Sequence, residues 1–265
     1  MSDGNVSLLP DVIKSASDAL QANAPETAKQ ADGALSTVVG FFNNVVLYPV
    51  KKANLTFKYK LEDFEKDLQN KTKDIPDENL QCPPTMIAGP TLEALRYAYD
   101  EEELREMYEN LLASAMDTRK AKEAHPAFVD AIKQMSPLDA RIFALIVEKL
   151  QLRCAEIIFS IVETNQRYLK AMPKYFVEEL YDFADPFIVS ASISNLERLG
   201  LIQIHLMQKM VHANYETIKS HPYVLEREKL FKTFGEEFII ELSGHTIMVN
   251  DYGKQFAKVC LLKEI

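Results

Sequence analysis

A chain of 265 residues with 47% hydrophobic and 26% charged residues is long enough for one large domain or two ordinary ones. Its formal net charge of −9 argues against nonspecific attraction to polyphosphate, because nucleic-acid-binding proteins generally carry a basic surface. The three cysteines are far apart and form neither a CxxC motif nor a zinc-finger spacing. These features favour a reduced cytoplasmic protein and predict no metal site and no cofactor.

The N-terminal part is expected to be helical. Residues 1–32 are interpreted as a flexible or weakly helical start, and residues 33–52 form a mostly apolar stretch. Asn43, Asn44 and Pro49 argue against a membrane span, because unpaired amides are costly inside a bilayer. Helical spacing instead predicts a core helix, or one that binds a partner or a membrane surface, with this apolar stripe: Leu35, Val38, Val39, Phe42, Val45 and Val46.

The next segment, residues 51–76, alternates lysines with acids and predicts a solvated amphipathic helix. Residues 76–90 contain four prolines and predict a loop, with Thr91 capping a short helix after it. Asp100 followed by Glu103 resembles a capping box that opens another helix. That helix is expected to bury one face, made of Leu104, Met107, Tyr108, Leu111, Leu112 and Ala115.

His125 raises the question of catalysis. It stands immediately before Pro126, at the start of a predicted helix that buries Phe128, Val129 and Ile132. A histidine there can supply a helix start and a hydrogen bond, whereas catalysis would need a partner that no second motif provides. The structural role is therefore preferred, and no catalytic residue is predicted.

The second half of the chain mixes helices and strands. Ser136 and Pro137 open a helix, and a run rich in β-branched residues after it predicts a short strand. Asp185 caps a further helix with Pro186 at its first position and Gly200 as terminator. The apolar stripe of this helix is expected to be Phe187, Val189, Ile193, Leu196 and Leu199.

Residues 237–251, "EFIIELSGHTIMVND", contain two apolar runs around Ser-Gly-His, which predicts a β-hairpin, and Asp251 is expected to cap a last helix. The order of these elements is that of a winged helix. The expected fold is therefore mainly α with a small β component. A helical domain over residues 33–135 precedes a winged-helix-like domain over residues 136–265, which has a helical insertion near residues 207–232.

The helix after Asp185 would be the one to enter a DNA groove. Its candidate contacts are Ser190, Ser192, Ser194, Asn195 and Arg198. Arg198 is its only cation, Glu197 stands beside it, and a typical DNA-reading helix makes several cationic phosphate contacts. Packing or contact with protein is therefore favoured over DNA.

Several phrases resemble the abortive infection alpha family, a bacterial domain of unknown function. They are "ALSTVVGFF" near the start, "GPTLEAL", "LLASAMD", "HPAFVDAIKQMSPLDA", "SISNLERLGLIQI" and "TIMVNDYGKQFAKVC". The resemblance covers most of the chain from about residue 33. It implies a prokaryotic cytoplasmic protein linked to phage defence, and it brings no catalytic residues with it.

Two functional hypotheses remain. The first is a defence protein that acts through a protein partner or through self-association. The second is a winged-helix regulator or effector that binds nucleic acid through residues 185–199. Peripheral membrane contact by residues 33–50 is compatible with either hypothesis, and no small-molecule substrate is evident.

Overall fold

The computed structural model describes residues 55–162, 167–168, 172–210, 213–233 and 237–264. The described residues are mostly helical, with a small antiparallel sheet. The chain divides into two compact units, unit 1 ending at Lys133 and unit 2 beginning at Gln134.

Unit 1 is helical throughout its described part. Its α-helices are α1 (Leu55–Thr72), α2 (Thr85–Ala98), α3 (Glu102–Met116) and α4 (Ala127–Lys133). Helix α3 is central, since it contacts the other three. The predicted buried face of α3 is confirmed, and even Glu109, Asn110 and Ser114 on its other side are buried.

Helix α2 starts earlier than the sequence predicts. It begins at Thr85 and runs through Pro90, so the expected loop up to Pro90 is too long and Thr91 is not a cap. Proline lacks the N–H that would bond to the carbonyl of Met86, but Met86 is 69% exposed, where water can supply a donor. Thr91 is instead buried inside the helix.

The capping box predicted at Asp100 is also wrong. Helix α3 begins at Glu102, and its N-cap residue, Glu101, makes no side-chain cap hydrogen bond. Asp100 forms an ion pair with Lys60 of α1 instead. A partner 40 residues away in the chain thus replaces the predicted local bond.

Unit 2 joins helices to the sheet. Its elements are α5 (Pro137–Lys149), β1 (Gln151–Ile161), β2 (Arg167–Tyr168), α6 (Pro186–Arg198), β3 (Ile202–His205), α7 (Pro222–Lys232), β4 (Phe238–Val249) and α8 (Asp251–Phe256), which continues as the π-helix Ala257–Leu261. The sheet order is β2–β1–β4–β3, and each neighbouring pair is antiparallel. The predicted Ser136 cap of α5 is confirmed, as part of a capping box with Asp139.

The predicted hairpin is wrong. Residues 238–249 form one continuous strand, β4, in which Gly244 pairs with Ala155 of β1. Gly244 does not make a turn, and the reason for a glycine there is space. A Cβ at this position would lie 2.8 Å from Cδ1 of Tyr215, a buried ring whose hydroxyl donates to the carbonyl of His245.

The last helix begins at Asp251, but its cap is the residue before. The Asn250 side chain accepts a hydrogen bond from the N–H of Gly253 and donates one to the carbonyl of Gly200, at 2.8 and 2.7 Å. Asn250 therefore caps α8 and ties it to the turn between α6 and β3. The sequence prediction of Asp251 as the cap is off by one residue.

One face of the sheet carries an apolar cluster. One face of β1 contributes Ala155, Ile157, Phe159 and Ile161 to an apolar cluster with Tyr215, Ile218 and Val224. At the edge of this cluster Arg153 forms ion pairs with Glu178 and Glu179 and donates to the carbonyl of Asn214. Two helices also pack on the sheet: α5 contacts β1 and β4, and α6 contacts β3.

Candidate functional site

Helix α6 is the part of unit 2 on which the functional hypotheses depend. Its predicted start and end are confirmed. The carboxylate of Asp185 accepts a hydrogen bond from the N–H of Phe187 at 2.8 Å, and Pro186 occupies the first turn. Gly200 ends the helix with φ +72°, a conformation that other residues adopt at a cost. These local signals fix where α6 begins and where it ends.

One face of α6 is exposed, and it is apolar at the N-terminal end. Phe187 is 41% exposed and Ile188 is 55% exposed. Ala191, Ser194 and Arg198 continue this face, since they recur at helical spacing and are exposed. We call these five residues the α6 face.

The prediction that Phe187 is a core residue is therefore wrong. Phe187, Ile188 and Val189 follow one another, and a helix can point only part of such a run at its core. Val189, with Ile193 and Leu196, fills the buried side. The signal that sequence reasoning missed was Ile188, an apolar residue outside the predicted stripe.

The predicted nucleic-acid contacts fall in different surroundings. Ser190 and Ser192 are buried. The Ser190 hydroxyl accepts a hydrogen bond from the N–H of Tyr175 at 3.0 Å. Ser194 is exposed, and its hydroxyl donates to the Ser190 carbonyl within the helix. Of these three serines, only Ser194 is on the surface.

Asn195 and Arg198 belong to a hydrogen-bond network at the other end of α6. The Asn195 amide donates at 3.0 Å both to the carbonyl of Gln134 and to the carboxylate of Asp139. Its oxygen accepts from Nε and Nη2 of Arg198, at 3.1 and 2.7 Å. Nη1 of Arg198 donates to the Gln134 side chain at 3.0 Å. This network holds the Arg198 side chain and ties the end of α6 to the start of α5.

The charge at the start of α6 is negative. Residues 172–191 contain one lysine and four carboxylates. Glu178 and Glu179 pair with Arg153, whereas Asp182 and Asp185 are exposed. An apolar surface with carboxylates beside it would repel phosphate rather than attract it.

The sheet places a cysteine opposite a histidine, two residue types that serve in catalysis elsewhere. Cys154 of β1 and His245 of β4 are directly opposite each other, so their side chains lie on the same face. Burial raises the pKa of the Cys154 thiol and lowers the pKa of His245. Nδ1 of His245 accepts a hydrogen bond from the N–H of Met207. A buried thiol with a raised pKa is a poor nucleophile, so these surroundings favour a structural role for the pair over a catalytic one.

His125 has the structural role that was preferred from the sequence. Its Nδ1 accepts a hydrogen bond from the N–H of Ala127 at 3.1 Å, at the first residue of α4. Its ring lies 6.0 Å from that of Phe128, between centroids. Arg198 is likewise held by hydrogen bonds to residues of its own unit, Asn195 and Gln134.

The remaining sequence predictions concern membranes and metals. The apolar stripe from Leu35 to Val46 lies outside the described residues. Among the helices that the structure does describe, none combines the length and the apolar character that crossing a bilayer requires. The described residues contain no cluster of three or more His, Cys, Asp or Glu side chains with the geometry of a metal site.

Comparison with known proteins identifies one family. The sequence model described as abortive infection alpha matches residues 56–260, a range that includes all of α2 to α8. No curated protein and no solved structure matches the chain. The match extends over well more than half of the sequence, and the chain therefore belongs to the abortive infection alpha family.

Proposed function

We propose that this protein acts in abortive infection, as a phage-defence protein of a prokaryotic cytoplasm, through contacts with protein rather than through catalysis. The α6 face makes the contact. Family membership supports the defence role. The observation that carries the mode of action is the exposure of Phe187 and Ile188 on a helix whose other end is fixed by hydrogen bonds.

Exposed apolar side chains favour a protein partner for a physical reason. Burying apolar surface stabilises a complex by about 25 cal/mol per Å², and aromatic side chains are enriched in the centres of interfaces. Phe187 and Ile188 are adjacent, so a partner can cover both at once. A helix that presents a rigid apolar face needs little reordering to bind.

Phage challenge tests this proposal. Cells carrying the double variant Phe187→Ser/Ile188→Ser are expected to lose protection against a phage that the unchanged gene restricts. The matched control is Leu225→Ser/Leu230→Ser on α7, because these two leucines are 39% and 50% exposed. Protein levels are compared by immunoblot. Equal protection by both double variants would remove the α6 face from the mechanism.

The second candidate is a winged-helix nucleic-acid-binding regulator or effector. Its support is the order of elements. Strand β4 lies between β1 and β3, and α6 enters β3 through Gly200. The chemistry of the face supports it less, because Arg198 is the face's only cation and Asp182 and Asp185 are at its other end.

Mobility shift at low salt separates the two candidates. Under the protein-contact proposal, micromolar protein does not retard a mixed-sequence duplex. Retardation that is lost in Arg198→Ala, in a variant shown to be folded by circular dichroism, would favour the nucleic-acid candidate. Peripheral membrane contact by residues 33–50 is a separate proposal, and vesicle flotation of the full chain tests it.

A further inference from the structure

The α6 face is complementary in charge to itself. The exposed carboxylates of Asp182 and Asp185 precede its N-terminal end, small and apolar residues line its length, and the guanidinium of Arg198 is at its C-terminal end. Helix α6 has 13 residues and is about 20 Å long. Two such helices placed antiparallel would set each positive end beside a negative one.

The positive end is the guanidinium of Arg198, which follows Glu197 in the sequence. In the described part of the chain, Arg198 donates to amide oxygens of Asn195 and Gln134 and forms no ion pair with a carboxylate. A guanidinium has five N–H donors, and these bonds use three of them. Among the described residues, two donors of Arg198 are thus left for a partner, while its position is fixed.

The negative end is also available. Asp182 is exposed and forms no ion pair among the residues that the structure describes. Asp185 uses one carboxylate oxygen, Oδ1, as the α6 cap. The nearby cation Arg141 lies over the ring of Phe183, 6.0 Å from its centroid, and offsets part of this charge.

We propose that two copies of this protein associate through the α6 face, antiparallel about a two-fold axis at Ala191, with Asp182 and Asp185 of each copy beside Arg198 of the other. Ala191 lies close to the midpoint of this stretch, six residues after Asp185 and seven before Arg198. An isologous contact of this kind is the commonest arrangement in soluble homodimers. The inference rests on the proposed function, because it names the partner of the same face.

The side chains along the face fit this arrangement. Around an axis at Ala191, Phe187 comes opposite Asn195 of the second copy, and Ile188 comes opposite Ser194. Each large apolar side chain thus meets a smaller one, which lets the two helices interdigitate. The methyl groups of the two Ala191 residues meet at the axis, where they allow a close approach.

Cysteine crosslinking tests the position of the axis. We expect full-length Ala191→Cys protein to form a disulfide-linked dimer under mild oxidation, seen on a non-reducing gel. The matched control is Leu230→Cys, an exposed position on α7, and unchanged protein controls for the three native cysteines. Crosslinking of Leu230→Cys to the same extent as Ala191→Cys would overturn the proposal.

Charge-reversal variants test the proposed pairing between Asp182 of one copy and Arg198 of the other. Asp182→Arg and Arg198→Asp should each weaken the homodimer by at least about tenfold in Kd, because Asp182→Arg places two like-charge pairs at the interface and Arg198→Asp places four. An equimolar mixture of the two variants should associate more tightly than either variant alone, since both pairs between residues 182 and 198 are then of opposite charge and only one Asp185 faces an aspartate. Sedimentation velocity at submillimolar protein measures both effects. Asp182→Arg changes no described contact, so it also serves as the variant with an unperturbed fold.

The outcomes separate this inference from the proposed function. Monomeric behaviour at submillimolar concentration, with no crosslink at Ala191→Cys, overturns self-association. If Phe187→Ser/Ile188→Ser still abolishes protection, the proposed function stands with another partner. Conversely, the inference is supported if Ala191→Cys protein forms the predicted crosslinked dimer. If the variant Phe187→Ser/Ile188→Ser then still protects cells normally, the α6 face has no part in defence.

Discussion

Gly253 of α8 lies against the carbonyl of Leu201, so closely that a Cβ at Gly253 would be 1.9 Å from the carbonyl oxygen. That oxygen belongs to the backbone between Gly200 and β3 and cannot swing away as a side chain can. The glycine of "NDYGKQ" thus allows α8 to approach the turn that follows α6.

Gly253→Ala is expected to lower the free energy of unfolding by about 3 kcal/mol or more, because the backbone must shift to accept the methyl group. Gly244→Ala is the graded control. There the added methyl meets the Tyr215 ring and the flexible Lys209 side chain, so we expect a smaller loss. Urea unfolding measures both variants, and an equal loss would contradict the backbone argument.

Glu109 is expected to make stability depend on pH. Burial, the largest cause, raises the pKa of this carboxyl, while Lys71 and Arg105, both 3.6 Å away, act in the opposite direction. A folded-state pKa above the unfolded value contributes stability at low pH that is lost as the pH rises through the folded pKa. Replacing Glu109 with Gln removes that loss.

The unfolding free energy of Glu109→Gln, relative to the unchanged protein, should therefore increase from about pH 4 upward. Urea titrations at a series of pH values measure it. Glu106→Gln is the matched control, because the Glu106 side chain on the same helix is 63% exposed. A pH-independent difference for Glu109→Gln would show that the raised pKa does not contribute.

Asn195 is expected to be needed for stability rather than for nucleic-acid contact. Asn195→Ala removes hydrogen bonds to Gln134, Asp139 and Arg198, and should cost about 1–2 kcal/mol. Ser194→Ala, one residue earlier and exposed, should change the unfolding free energy by less than about 0.5 kcal/mol. Thermal or urea unfolding distinguishes these values, and equal effects would contradict the network.

The cysteines are expected to differ in reactivity. Burial raises the pKa of all three thiols, but Cys82 is half-buried, whereas Cys154 and Cys260 are fully buried. We expect a thiol reagent to modify Cys82 slowly in folded protein, and Cys154 and Cys260 only after unfolding. Peptide mass spectrometry locates the label. Rapid labelling of Cys154 in folded protein would contradict its burial beside His245.

Local signals explain what could be predicted from the sequence. The ends of α5 and α6 are set by Ser136, Asp185 and Gly200, residues whose capping and turn chemistry acts within a few positions. The helical start at His125 follows the same rule. The family resemblance was likewise contained in short phrases.

Predictions failed where the deciding partner was distant in the chain. The residues around Gly244 predict a turn, but the ring that requires a glycine there belongs to Tyr215, which is 29 positions away in the chain. The local spacing around Asp100 predicts a cap, but it does not show that the partner of Asp100 is Lys60 on another helix. The exposure of Phe187 depended on which of three consecutive apolar residues the core would accept.

The continuous strand β4 also constrains the order in which unit 2 can assemble. Its neighbours β1 and β3 both precede it in the chain, and they contact each other only through it. During synthesis, Gln151 can pair only after Met248 has been made, and Ile202 only after Val249, although two residues of β1 can pair earlier with β2. Until then most of β1 has no strand beside it, and an unpaired strand edge with apolar side chains pairs readily with other chains. The sheet of unit 2 can therefore complete its pairing only after the chain has been synthesised as far as Val249.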